Sequence, residues 1–108
     1  MAKMTIAQMR KRDTEKLAEM IGDPGRAKYL FNSYYRLCAL SERNLCLSND
    51  ERTCDSQYCK ESEKHERKWY KRLREEFRKH DLDLYYYGYF PSIIYPHHSI
   101  AFLPHFYN

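Results

Sequence analysis

Valine is absent from the chain and the other β-branched residues are few, so little material exists for a broad sheet. No phosphate loop, dinucleotide fingerprint, HExxH or GxSxG occurs anywhere, which leaves catalysis without a specific sequence feature. The expectation is a protein that is not an enzyme and that needs no cofactor. Charge is missing from one end: all 19 Lys and Arg and all 15 Asp and Glu precede Leu84. The uncharged stretch from Leu84 to Asn108 is long enough to raise the question of a membrane span. Its prolines, histidines and tyrosines would leave many polar groups to satisfy in lipid, so a spanning helix is rejected.

Paired metal-ligand spacing is also lacking. Cys38, Cys46, Cys54 and Cys59 are set too far apart for the doubled two-to-four-residue gap of zinc modules. Buried or half-buried free thiols are expected, with no metal. His97, His98 and His105 are read as surface hydrogen-bonding groups. No charged segment followed by an apolar one opens the chain, because Lys3, Arg10, Lys11, Arg12 and Lys16 are spread through the first 22 residues. A cytoplasmic location with reduced cysteines is expected.

What is present describes one small domain. A chain of 108 residues with 43% apolar content and net charge +4 has material for one modest core. At this size about 65% of the unfolded chain's surface is buried on folding, so a deep walled active site is difficult to house. A pI near 8.9 is mildly basic and suits an acidic partner without demanding one.

Thr5 with Gln8 has capping-box spacing, and the apolar positions that follow predict a helix over about 5–21. Gly22-Asp23-Pro24-Gly25 stops it, and Asp23 as N-cap with Pro24 at the first turn starts a second helix to about Leu45. That helix places Leu30, Phe31, Tyr34, Leu37 and Cys38 on one face. Ser48 and Glu51 again have capping-box spacing, and a helical reading continues to His80, with an irregularity near Cys54 to Cys59. Over 61–80 the separation of faces is sharpest. Trp69, Leu73, Phe77 and His80 share one arc, and Trp69 with Leu73 and Phe77 is the expected core anchor.

The opposite face carries Lys64, Arg67, Lys68, Lys71, Arg74 and Arg78. It can steer an acidic partner or track phosphates. The plainer alternative is a solvated face with helical pairs such as Glu75 with Lys71 and Lys79. Beyond Asp81-Leu82-Asp83 the pattern becomes short Tyr- and Ile-rich runs separated by Pro91, Pro96 and Pro104. These prolines mark strand ends or sheet edges, and Pro96-His97-His98-Ser99 has the look of a hairpin tip. The fold class is therefore α+β, with about three helices on a small C-terminal antiparallel sheet. Within the tail, Tyr86 faces away from Tyr85 and Tyr87. The tail holds more rings than a small core can bury, and exposed tyrosines suit a protein interface.

The run Trp69-Tyr70-Lys71-Arg72-Leu73, then Glu76-Phe77, then Leu82-Asp83-Leu84-Tyr85 leading into Gly88-Tyr89-Phe90-Pro91-Ser92-Ile93, resembles small accessory proteins of bacterial phages and mobile elements. The resemblance implies a setting and no activity: short proteins there act by stoichiometric binding, for example as inhibitors of a host defence nuclease of the CRISPR type. That setting would be the bacterial host cell. The positive charge departs from inhibitors that imitate DNA with acidic surfaces, so gripping protein or guide-bound surfaces is implied instead.

The functional expectation is a non-catalytic binder of a protein or nucleoprotein partner, using Lys64, Arg67, Lys68, Lys71, Arg74 and Arg78 with exposed members of the tyrosine set, Tyr85, Tyr87 and Tyr89 foremost. The alternative is direct nucleic-acid binding along the basic helix 60–79.

Overall fold

The structure, a computed structural model, describes residues 3–95 and 100–102. In chain order it runs α1 (Ile6–Ile21), α2 (Pro24–Asn49), α3 (Gln57–Arg78), β1 (Asp83–Tyr87), β2 (Phe90–Ile94) and β3 (Ile100–Phe102). The strands form one antiparallel sheet in the order β1-β2-β3, so the chain is α+β as its sequence pattern indicates. No helix of the described residues is long and apolar enough to cross a membrane.

Local chemistry sets the boundaries. The Thr5 hydroxyl accepts from the Gln8 N–H, the Gln8 side chain accepts from the Thr5 N–H, and this reciprocal cap starts α1. Gly22, at φ 72°, ends it in the left-handed region that a side chain disfavours. Asp23 then accepts from the Arg26 N–H and Pro24 opens α2. The second helix runs on to Asn49, beyond the expected end at Leu45.

Ser48 and Glu51 do not begin a helix. The Ser48 hydroxyl instead donates to the Glu63 carboxylate at 2.6 Å, holding the end of α2 against its neighbour. Residues 50–56 form a turn in which Asp50 accepts from the Arg52 N–H, and Ser56 is the true N-cap, accepting from the Cys59 N–H at 3.0 Å. At the far end Asp81, at φ 60°, takes the left-handed conformation while the Leu82 N–H returns to the Phe77 carbonyl at 3.2 Å. The β1–β2 hairpin has a two-residue loop, Gly88-Tyr89, with Gly88 at φ 71°. A positive φ at that position suits the right-handed twist of the strands it joins.

Helix α2 is the centre of the molecule, packed on α1, α3 and β2. Leu30, Phe31, Tyr34, Leu37 and Cys38 are all buried, as their shared face predicts, and the core continues through Leu17, Leu73, Phe77, Leu84, Ile93 and Phe102. Phe102 meets Phe31 edge-on at 5.1 Å, which brings β3 onto α2. The buried Tyr34 hydroxyl donates to the Pro91 carbonyl at 2.8 Å, pinning β2 to the same helix. Pro91 lies inside the middle strand, at its second position. Among the described residues β3 pairs with Ile93 and Ile94 and does not reach Pro91, so no described ladder hydrogen bond needs the N–H that proline lacks. Pro96, Pro104, His105 and the expected hairpin tip at 96–99 lie outside the described residues.

The expected anchor is only partly correct. Phe77 and Leu73 are buried, but Trp69 is half-buried at the rim of the core. The centre of the arc next to it is taken by Ser62 and Glu66, which α2 meets with polar groups of its own. Phe77→Ala should therefore cost about 3–5 kcal/mol, and Trp69→Ala roughly half as much, because less of its surface leaves water on folding. Urea denaturation of the two variants measures the difference.

Candidate functional site

The upper half of the contact between α2 and α3 is polar. Ser41, Asn44 and Ser48 recur at helical spacing on α2 and meet Ser62, Glu63 and Glu66 of α3. Glu66 takes the Ser41 hydroxyl at 2.8 Å and the Asn44 amide at 2.8 Å. Tyr86 of β1 donates a third hydrogen bond to it at 2.6 Å. Burial first, and then this bond to a carboxylate, push the Tyr86 phenol above its ordinary range. The Ser62 hydroxyl donates to the Asn44 side chain, and the Cys59 thiol points to Glu63 at 3.5 Å. Glu63 ionises below the ordinary carboxylate range, chiefly because Ser48 donates to it.

This seam decides what α3 shows to water. Of the five acidic residues between 60 and 79, Glu63 and Glu66 turn towards α2, and Glu76 is held by Arg26 of α2 and by Lys79 at 3.1 Å. The pairs expected of Glu75 with Lys71 and Lys79 do not form. Lys64, Arg67, Lys68 and Lys71 are exposed and make no ion pair among the described residues. The outward face consequently holds more unpaired cations per acid than the composition of the helix suggests, with Glu61 and Glu75 the acids still exposed.

Arg74 and Arg78 are placed differently. Both grip Asp83 at the start of β1, at 2.8 and 3.2 Å, and tie the helix to the sheet. The Arg74 guanidinium also lies 4.5 Å over the ring of Tyr85, which is half-buried beneath it. Of the remaining tyrosines, Tyr87 is 45% and Tyr89 is 68% exposed at the hairpin end. Tyr89 lines a cleft of about 290 Å³ together with Arg67, Tyr70, Tyr86, Ser41 and Asn44. The hairpin thus brings Arg67 and Tyr89 to one place, and Arg74 and Tyr85 to another. Lys64 and Lys71 stand on the crest between the flanks, and Lys68 faces a second groove on the far side of the helix.

That second groove, about 440 Å³, was not evident in the sequence. It runs between α2 and α3 past Tyr29, Arg36, Lys68, Trp69 and Arg72. The signal for it is the i, i+7 spacing of Tyr29 and Arg36 on α2, outside the apolar stripe.

The thiols have no shared site. Cys38 and Cys59 are buried and Cys46 is exposed, against the expectation that all would be at least half-buried. Burial raises the Cys38 thiol to about 12, so it stays protonated. No group of three potential ligands that could hold a metal occurs among the described residues. No family model, no curated protein and no solved structure matches the chain.

Burial of Asp83 opposes its ionisation, but Arg74, the Leu84 N–H and Arg78 outweigh it and hold the carboxyl below its usual range. The folded group thus ionises at lower pH than the unfolded one. Its contribution is complete above about pH 4 and is lost as pH falls through the depressed folded value. Asp83→Asn should cost about 2 kcal/mol near neutrality and flatten the acid side of a stability profile measured by urea denaturation. An unchanged acid limb would contradict this role.

Proposed function

We propose that the protein is a small non-catalytic binder that acts stoichiometrically on a protein or nucleoprotein partner presenting acidic groups. The carrying observation is that Lys64, Arg67, Lys68 and Lys71 are exposed and without ion pairs among the described residues, with Arg67 beside the exposed ring of Tyr89, Lys64 and Lys71 on the crest and Lys68 on the far flank. Free cations raise the rate of encounter with an acidic surface, and a planar ring with a hydroxyl gives desolvated contact area at small entropic cost. Tyr87, 45% exposed, adds ring area at the same end of the hairpin. Arg74 and Arg78 shape the surface by fixing β1 and keep part of their donor capacity for a partner. The likeness of 69–93 to phage accessory proteins supplies a setting in which such a binder serves as an inhibitor of a host defence nuclease.

The test is affinity capture from a bacterial lysate, with nuclease treatment and the double variant Lys64→Glu, Lys71→Glu as controls. Both lysines are exposed and unpaired among the described residues, so the variant should melt within about 0.5 kcal/mol of the parent. A stoichiometric partner that survives nuclease and is lost by the variant is expected. Capture that the variant leaves unchanged would remove the crest from the mechanism, and capture that vanishes with nuclease would remove the protein contact.

A further inference from the structure

The groove between α2 and α3 combines features that the tyrosine-tipped surface lacks. Its wall includes the indole of Trp69, half-buried against the core and backed edge-on by the His65 ring at 5.7 Å. Tyr29, 55% exposed, stands at the other end. Arg36, Lys68 and Arg72 reach in from both helices, and none is in an ion pair among the described residues. Glu76 lies in the groove too, but Arg26 and Lys79 already balance its charge. The field in the groove is therefore positive, and its apolar surface is flat and aromatic.

We propose that this groove binds single-stranded nucleic acid, with one base stacked on Trp69 and the adjoining phosphates held by Arg36, Lys68 and Arg72. An aromatic face accepts any base, and cations on both walls follow the backbone. Tyr29 and Arg36 are seven residues apart on α2, about 10 Å at the helical rise, a length that suits one or two nucleotides. An acidic peptide would satisfy the cations and leave the indole unused. A duplex keeps its bases stacked inside and offers the indole no partner. The proposal goes beyond the protein-docking surface, and the two can fail separately because Lys64 and Lys71 lie outside the groove.

Trp69 is the chain's only tryptophan, so its emission reports on this groove alone. Titration with ten-nucleotide oligo-dT and oligo-U should quench it saturably, the two arms showing whether DNA or RNA is preferred. Three phosphate contacts on a single strand give about a 20-fold loss of affinity between 50 and 200 mM salt. Arg36→Gln with Arg72→Gln should weaken binding at least tenfold at unchanged melting temperature, while Lys64→Gln with Lys71→Gln should change it less than threefold. Absence of quenching, equal quenching by poly-glutamate or by duplex, or equal loss in the two double variants would each overturn the proposal.

Discussion

Glu66 is the point at which three elements are joined. Its two carboxylate oxygens receive Ser41 and Asn44 from α2 and Tyr86 from β1, so the spacing of α3 from the central helix and the seating of the hairpin are set by the same group. Hydrogen bonds to a charged acceptor are the stronger kind, and leaving one partner unsatisfied costs more than the bond itself contributes. Below this seam the packing is apolar, through Leu37, Leu73 and Phe77, and above it polar. One helix pair therefore carries two kinds of contact along its length.

The polar half has a consequence for charge. It draws Glu63 and Glu66 inward, and at the other end of the helix pair Arg26 matches Glu76, so the outer surface of α3 carries its lysines and arginines with Glu61 and Glu75 as the exposed acids. Six of those cations divide into three groups. Arg67 and Arg74 flank the sheet, Lys64 and Lys71 crown the helix, and Lys68 with Arg72 borders the tryptophan groove. The Asp83 clamp adds a fixed link between the end of α3 and the first strand, so the two flanks keep their positions relative to the hairpin.

Much of the fold was legible in the sequence, because it rests on local signals. The Thr5 capping box, the Gly22-Asp23-Pro24 break, the apolar face of α2 and the loss of charge after Asp83 each correspond to an observed element or boundary. What could not be read depends on partners far apart in the chain. Ser48 and Glu51 have the spacing of a cap, yet Ser48 is claimed by Glu63, fifteen residues on, and the helix is capped by Ser56 instead. Glu66 reads as one more solvated acid until Ser41 and Asn44 are seen opposite it. Trp69 reads as a core residue for the same reason. Its displacement to the rim follows from the polar groups that occupy the middle of the arc, and it opens the groove that the pattern of charges alone did not disclose.

The division of α3 into inward and outward acids is tested most directly by comparing the urea stability of Glu66→Ala with that of Glu75→Ala. Removing the acid that ties α2, α3 and β1 together should cost about 2–3 kcal/mol, and removing the exposed one should change stability by less than about 0.5 kcal/mol. Losses of equal size would show that the seam does not organise the helix and that its cationic surface has another origin.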